Sequence, residues 1–223
     1  MAERGERARA IELVGPAAAG KSTLYRALAA RSPHVRPGVP FGGLGHVRLG
    51  LRHGVRFLPA WLASRDRWLD EKELRSLAYV VGWAEALEAG APDGTLAVFD
   101  HGPLFRLARL RAFGPRLVAS AAFERWAEAA LARWAKLLDA VVWLDAPDAL
   151  LAARIEGRAE RHRMQGSAAA DTERFLARYR TGYEALLGEL AAAGGPKPIR
   201  VDTSRERPDA IAARLLDTLG LTL

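Results

Sequence analysis

The stretch that most constrains the fold of this chain is residues 15–23, which match the Walker A pattern G-x-x-x-x-G-K-S. The apolar run at 10–14 precedes this stretch and predicts a buried strand, and residues 21–31 predict the helix that follows it. A glycine-rich turn between a strand and a helix directs backbone N–H groups and the positive end of the helix to one point. The stretch therefore predicts a phosphate-binding loop in an α/β domain.

The residue types of this loop indicate how it would hold a nucleoside triphosphate. Its glycines permit backbone angles and close approaches that a Cβ would block. Lys21 is expected to reach the β- and γ-phosphates, and the Ser22 hydroxyl to bind Mg²⁺. The predicted phosphate-binding residues are Gly15, Pro16, Ala17, Ala18, Ala19, Gly20, Lys21, Ser22 and Thr23. The motif does not identify the fate of the phosphate.

Length and composition favour one soluble domain. The 223 residues fit one α/β domain with a helical insertion. No cysteine is present, which excludes disulfides and thiolate metal sites. No apolar run approaches the roughly 18 residues of a membrane span, and the charged N-terminus lacks the apolar core of a signal peptide. We therefore expect a cytoplasmic protein with no membrane partner.

The chain is strongly basic, with a net charge of +7, and only four of its 33 basic residues are lysine. Nucleic-acid binding is one explanation, and an anion site built from guanidinium groups is another. A solvated arginine-rich surface is the third. Because the arginines are scattered along the whole chain, we favour the third, with an anion site formed locally, and we expect no nucleic-acid partner.

Strands alternate with helices after the phosphate-binding loop. Strands are predicted at 95–100, 140–145 and 198–202, and helices at about 103–112, 117–138, 172–192 and 208–219. This alternation predicts a parallel sheet covered by helices on both faces. Ligands of such sheets bind outside the carboxyl ends of the strands, so the segments that follow the strands are expected to meet at one rim.

The region 32–94 is predicted to be mainly helical. Val47, Leu51, Val55, Leu58 and Leu62 form a one-sided apolar stripe, which Pro59 should kink, and Asp70 opens a second helix. A short strand is expected somewhere in 34–45. The region also contains Trp61, Trp68 and Trp83, which we interpret as core residues rather than as a stacking platform for a base.

Two carboxylates end predicted strands. Asp100 is positioned to hold Mg²⁺ or to accept the proton of an attacking hydroxyl. Its alternative role is to cap the next helix, and we favour the functional role because of its place at the end of a strand. For Asp145 we favour the cap, since Pro147 begins the next predicted helix. Asp171 is the predicted cap of the helix at 172–192.

Arginines cluster beyond the helix that follows Pro147. Arg154 and Arg158 are spaced for one helical face, and Arg161 and Arg163 lie in a small-residue segment beyond them. An arginine-bearing flap closing over a triphosphate would exclude water and stabilise the transferred charge, so Arg154 and Arg158 are candidate catalytic residues. The alternative is a solvated basic face.

These pieces in this order resemble a known family. The phosphate-binding loop, the strand ending in Asp100, residues 141–147 followed by Arg154-x-x-x-Arg158, and residues 201–205 are similar to the P-loop nucleoside and nucleotide monophosphate kinases, notably thymidylate kinases and deoxynucleoside kinases. The resemblance implies one P-loop NTPase domain over 1–223, a three-layer α/β fold with an acceptor-side helical region at 32–94 and a lid at 154–170.

The resemblance also implies ATP and Mg²⁺ as cofactors, with Mg²⁺ held by Ser22 and Asp100. Residues Thr203, Ser204 and Arg205 would lie near the adenine. The acceptor stays open, because Asp100 is followed by His101 where thymidylate kinases carry arginine and deoxynucleoside kinases have Glu-Arg-Ser. A nucleoside or nucleotide comes first, and an antibiotic or other metabolite alcohol second.

Other functions and partners stay open at this stage. A P-loop NTPase that drives a protein or nucleic-acid partner, or a nucleotide sensor without turnover, is the rival from another class. A homodimer is compatible with the sequence. Four arginines of the acceptor-side region are candidate contacts for an anionic acceptor, although a surface role fits each of them better: Arg48, Arg52, Arg65 and Arg67.

Overall fold

The computed structural model describes residues 9–39, 44–90, 94–159 and 161–220. The strands are β1 (Arg9–Val14), β2 (Val35–Pro37), β3 (Leu96–Phe99), β4 (Ala140–Asp145) and β5 (Pro198–Asp202). The helices are α1 (Lys21–Arg31), α2 (Leu44–Gly54), α3 (Leu58–Ser64), α4 (Glu71–Glu88), α5 (Pro103–Phe113), α6 (Ala121–Leu137), α7 (Asp148–Glu156), α8 (Ala169–Ala192) and α9 (Pro208–Thr218). Short 3₁₀ turns span Val55–Phe57 and Arg116–Ala119.

The five strands form one parallel sheet in the order β2-β3-β1-β4-β5. Successive residues of β1 enter two different cores, with Ala10 and Val14 on one face of the sheet and Ile11 and Leu13 on the other. Helices supply the opposite side of both cores. The predicted three-layer α/β fold is therefore confirmed, and the short strand expected within 34–45 is the edge strand β2.

Side-chain caps occur at the starts of α4 and α6, but not at the start of α8. Asp70 and Glu73 form a reciprocal capping box at the start of α4, as the charged opening of that helix suggested. The prediction for Asp171 was wrong. Helix α8 begins at Ala169, and Asp171 lies within its first turn, where it pairs with Arg174.

Helix α2 packs on α4 through its small residues rather than its large ones. A Cβ on Gly50 would lie 2.7 Å from the backbone oxygen of Leu74, and one on Gly54 would lie 2.7 Å from the Leu74 side chain. The close approach of the two backbones therefore requires glycine at these positions. It turns the apolar stripe away from the core, so that the five stripe side chains are exposed.

The packing of α2 on α4 predicts opposite outcomes for two glycine substitutions. Gly50→Ala should lower the free energy of unfolding by about 1–3 kcal/mol, because the new methyl group meets a backbone carbonyl that has no room to yield. Gly182→Ala, in α8, should raise it by about 0.5–1 kcal/mol, since no atom lies within 4 Å of the added Cβ. Urea denaturation measures both. A Gly50→Ala protein at least as stable as the parent would contradict the packing described.

Candidate active site

The phosphate-binding loop joins β1 to α1 and is pressed against β4. Gly15 has φ 138°, and a Cβ there would lie 2.0 Å from the backbone oxygen of Leu144. Only glycine fits such a contact. Ala18, in the same loop, has φ 61°, a left-handed conformation that costs a residue with a Cβ energy and is typical of functional loops. The loop is thus held in a backbone geometry that its own sequence does not favour.

Lys21 lies across this loop. Its Nζ donates to the backbone oxygens of Gly15 at 2.9 Å and Pro16 at 2.8 Å. Desolvation lowers the pKa of Lys21 to about 8, while the nearby Asp100 carboxylate acts in the opposite direction. The ammonium is therefore already directed at the centre of the loop, where a phosphate chain would bring the negative charge that raises its pKa again.

Ser22 and Asp100 meet at the start of α1. The Ser22 hydroxyl donates to Asp100 Oδ2, whereas Asp100 Oδ1 is buried and has no hydrogen-bond partner. An unpartnered buried carboxylate oxygen beside a hydroxyl fits Mg²⁺, which prefers hard oxygen ligands and takes one or two carboxylates together with water and phosphate. No cluster of three or more metal-ligating side chains occurs in the described ranges.

The structure does not assign Asp100 the alternative role of a helix cap. The residue at the N-cap of α5 is Gly102, and the side chain that caps this helix is Glu12 from β1. The Glu12 carboxylate accepts from Leu104 N and Phe105 N, both at 2.9 Å. Sequence reasoning missed Glu12, although a glutamate within an otherwise apolar central strand was the available signal.

A cavity of about 690 Å³ extends from the loop toward β5 and α9. Besides loop residues, it is lined by Arg154, Arg158, Thr203, Glu206, Pro208 and Ile211. Arg154 donates to Thr203 Oγ1 at 3.0 Å and to Thr203 O at 2.9 Å, and more weakly to Ala18 O at 3.4 Å. Arg154 therefore joins the lid helix α7, the segment after β5 and the phosphate-binding loop.

The other predicted arginines divide between the site and its surroundings. Arg158 is exposed and lines both the 690 Å³ cavity and a smaller one of about 230 Å³ over the loop. Arg163 stacks on Phe113 and Phe175, with 4.9 Å from its guanidinium carbon to each ring. Arg161 is exposed, with no recorded contact to the loop. Arg158 is thus the exposed arginine of this segment that lines both cavities at the loop.

Three predicted positions have other partners. Ser204 donates its N–H and hydroxyl to Asp202, and Arg205 pairs with the same carboxylate at 3.1 Å, so neither lines the large cavity. Asp145 does not cap α7, whose N-cap is Pro147 with no side-chain cap. It binds Arg180 of α8 instead, at 2.8 Å and 3.0 Å. Of the three residues after β5, only Thr203 lies at the cavity.

A second pocket, of about 350 Å³, lies on the other side of Asp100. It is lined by Tyr25, Pro37, Gly38, Trp83, Val98, Phe99, Asp100, His101 and Arg106. The Trp83 and Tyr79 rings stack, with centroids 4.5 Å apart, and the Arg106 guanidinium lies 4.8 Å from the Tyr79 ring centroid. Trp83, interpreted from sequence as a core residue, therefore also forms the wall of this pocket.

Arg106 is the arginine of this pocket that sequence reasoning missed. The four arginines considered as candidate contacts, for which a surface role was favoured, lie elsewhere: Arg67 pairs with Glu73 at 2.6 Å, and Arg48, Arg52 and Arg65 are exposed. Burial lowers the pKa of Arg106, and no carboxylate contacts it among the described residues. Its position six residues after Asp100 on α5 carried no sequence signal until the pocket was known.

Asp100 and His101 connect these spaces. Both line the 350 Å³ pocket and also the cavity of about 230 Å³ over the phosphate-binding loop. Burial lowers the pKa of His101, and its ring packs edge-on against Phe105 with centroids 4.4 Å apart. A molecule in the pocket would thus have a direct approach to a phosphate on the loop, past these two side chains.

Solved structures show the same fold over nearly the whole chain. The YorR protein of Bacillus subtilis, in complex with phosphorylated GDP, has TM-score 0.53 and 18% identity, with 95% of this chain and 96% of that chain covered. The deoxyadenosine kinase of M. mycoides with bound dCTP has TM-score 0.52 and 12% identity, with 94% and 99% covered. The Deinococcus radiodurans tunicamycin resistance protein has TM-score 0.50 and 17% identity, with 97% and 98% covered.

No family model and no curated protein sequence matches this chain. At identities of 18% and below, the likeness is one of fold. At that level the resemblance to the P-loop nucleoside and nucleotide kinases is confirmed.

The position of Glu12 predicts how stability depends on pH. Burial raises the pKa of Glu12 to about 8 from an unfolded value of 4.5. Between these values the folded protein keeps a proton that the unfolded chain loses, so this contribution to stability falls as pH rises. The stability advantage of the parent over Glu12→Gln should therefore shrink by at least about 1 kcal/mol from pH 5 to pH 8.

Urea denaturation across this pH range measures the difference, and Glu128→Gln, at an exposed position on α6, is the control. An advantage that stays constant from pH 5 to pH 8 would show that the two N–H groups of α5 hold Glu12 ionised despite its burial.

Proposed function

We propose that this protein is an ATP- and Mg²⁺-dependent phosphotransferase that acts on a hydroxyl or phosphate group of a small molecule. The observation that carries the proposal is the pair of spaces that share Asp100 and His101, one over the phosphate-binding loop and one lined by aromatic rings. A phosphoryl donor and an acceptor bound in them would face each other. Phosphoryl transfer consists mainly of such positioning and of charge neutralisation.

The residues of the loop would bind and orient the donor. Lys21 donates to loop carbonyls less than 3 Å away and would donate to phosphate oxygens at the same place. Arg158 brings a second positive charge from the lid side of the cavity, where it stabilises charge on the transferred group. Arg154, through its bonds to Thr203, is suited to hold the lid helix in register with the loop.

Ser22 and Asp100 are the residues suited to hold Mg²⁺. When bound, this ion supplies neutralisation of the negative charge on the phosphate chain. The hydrogen bond between the two side chains orients the carboxylate toward the loop, which supports a metal-orienting role for Asp100. The buried Oδ1 atom, which has no partner, supports the same assignment.

The aromatic pocket favours a planar acceptor that carries negative charge. The Trp83 ring, which lines the pocket and is held by stacking on Tyr79, suits a flat heterocycle. Arg106 is a partly buried cation without a carboxylate partner among the described residues, so a ligand phosphate would compensate its desolvation. A nucleoside monophosphate meets both conditions, and a nucleoside meets the first.

A second acceptor class is a hydroxyl of an antibiotic or another metabolite alcohol. The fold likeness to the tunicamycin resistance protein of Deinococcus radiodurans supports including it. Such an acceptor would use the same pocket, and it would depend less on Arg106 if it carried no phosphate.

Measurement of ATP consumption with Mg²⁺ against nucleoside monophosphates, nucleosides and aminoglycoside-type alcohols tests the proposal. We expect consumption that depends on one acceptor class and yields a phosphorylated product. ATP hydrolysis without an acceptor, stimulated by a protein or nucleic acid, would instead establish an NTPase that drives a partner. Nucleotide binding without any turnover would indicate a sensor.

Lys21→Ala should reduce phosphoryl transfer by at least about a hundredfold, because it removes a positive charge at the phosphate position. The change should leave the thermal unfolding temperature close to that of the parent. Lys197→Ala, at an exposed lysine far along the chain, should keep full activity. Transfer at the parental rate in Lys21→Ala would refute the assignment of the loop.

Arg106→Gln should raise the KM for an anionic acceptor by about tenfold or more, because a charge-assisted hydrogen bond is lost. The KM for ATP and the kcat should stay within about threefold of the parent. A neutral nucleoside should be much less affected, and Arg125→Gln, at an exposed position on α6, serves as the control. An equal rise in KM for charged and neutral acceptors would show that Arg106 only shapes the pocket wall and does not bind the acceptor's negative charge.

A further inference from the structure

An apolar stripe runs along the outside of α2, the following 3₁₀ turn and α3. Its members are Val47, Leu51, Val55, Leu58 and Leu62, each between 43% and 63% exposed. In the described part of the chain, these five are the exposed large hydrophobic side chains. An amphipathic helix normally turns such a stripe toward the core. A continuous exposed row of this kind marks an interaction surface.

The packing of α2 fixes this orientation. Gly50 and Gly54 face α4 at distances that leave no room for a Cβ, so rotation of the helix to bury the stripe would lose its closest contact. Phe57, in the 3₁₀ turn, is buried against Phe123 and Trp126 of α6, with ring centroids 5.6 Å and 5.9 Å apart. The stripe therefore faces outward, because the opposite face of the segment is packed against α4 and α6.

A row of arginines accompanies the stripe. Arg48, Arg52 and Arg56 recur every four residues, each one position after an apolar member of the stripe, and all three are exposed. Residues 44–65 contain no Asp or Glu. None of these three guanidinium groups forms an ion pair or hydrogen bond within the described residues, whereas many exposed arginines elsewhere in this chain do.

We propose that this surface, made of the apolar stripe and the arginine row, docks on an anionic lipid bilayer. The five aliphatic side chains would enter the boundary between headgroups and acyl chains, and the arginines would contact lipid phosphates. This is binding in the plane of the interface. It requires no transmembrane segment, and no helix in the described ranges has the length and apolar character to cross a bilayer. The expectation of no membrane partner rested on the lack of a span-length apolar run and of a signal peptide, and interfacial binding requires neither.

Charge and area favour a bilayer over a second copy of this chain. The stripe is one side chain wide and about 22 Å long at 1.5 Å per residue. A stable dimer usually buries roughly 800 Å² on each partner, more than such a row supplies. A second copy would also present the same arginines and, from residues 44–65, no carboxylate to pair with them. A lipid surface supplies both an apolar layer and negative charge.

Vesicle co-sedimentation of the full chain tests the proposal, with phosphatidylcholine vesicles that contain or lack phosphatidylglycerol. We expect binding to the anionic vesicles that weakens between about 0.1 M and about 1 M NaCl. The triple variant Arg48→Gln, Arg52→Gln, Arg56→Gln should bind roughly a hundredfold more weakly, since each interfacial cation contributes about fivefold. Leu51→Gln with Leu58→Gln should also lose binding, because the apolar contact is removed.

A matched control separates this surface from the net charge of the protein. Arg31→Gln, Arg125→Gln and Arg207→Gln remove the same charge at exposed positions on other elements and should keep vesicle binding within about threefold. Circular dichroism and thermal unfolding establish that each variant is folded. Equal losses in the two triple variants would overturn the proposal in favour of non-specific attraction.

The oligomeric state supplies the remaining outcome. Light scattering during size exclusion should give a monomer in the absence of vesicles, or a dimer that the Leu51→Gln, Leu58→Gln variant leaves intact. A dimer that this variant dissociates, without vesicle binding by the parent, would overturn the proposal and assign the surface to a second copy. If the parent protein shows neither vesicle binding nor such a dimer, the proposal is overturned as well.

Discussion

The buried contact between Glu12 and the first turn of α5 determines where the two halves of the candidate site lie. Glu12 is part of β1, and the phosphate-binding loop begins three residues later. Through its bonds to Leu104 N and Phe105 N, the same strand fixes the start of the helix that carries Arg106. One central strand therefore positions the donor loop directly and the wall of the acceptor pocket through a single carboxyl group.

The arginines of the chain fall into two groups in the structure. Several arginines pair with carboxylates and join elements that are distant in sequence: Arg111 with Glu124 and Glu189, Arg133 with Glu88, Arg180 with Asp145, and Arg200 with Glu184. Others contact no carboxylate within the described residues, and they lie at the lid, in the aromatic pocket and beside the apolar stripe. The unpaired group is where an anionic ligand adds most to stability, because its charges are not otherwise compensated.

Local sequence signals were sufficient for the sheet, the phosphate-binding loop and Asp100, because a buried parallel strand and a glycine-rich turn each have a recognisable composition. The acceptor pocket was not predictable. Arg106 and Trp83 come from different helices, and only their packing beside β3 brings them together. The predictions for Asp171 and Asp145 were wrong for a related reason. The local sequence suggests a helix cap for each residue, but in the fold each carboxylate pairs with an arginine. The orientation of α2 depends on two glycines. Hydrophobic periodicity alone does not reveal such glycine contacts, so this orientation was not predicted.

Two faces of helix α4 contact different parts of the molecule. One carries the Trp83 ring of the pocket with Tyr79 stacked on it, and the other receives Gly50 and Gly54 of α2 at the backbone and side chain of Leu74. A substitution that enlarges α2 on its inner face would press on α4 at Leu74, and α4 also carries the Trp83 ring that lines the 350 Å³ pocket. Under the proposed function, variation on the inner face of α2 would therefore alter acceptor selectivity from outside the pocket.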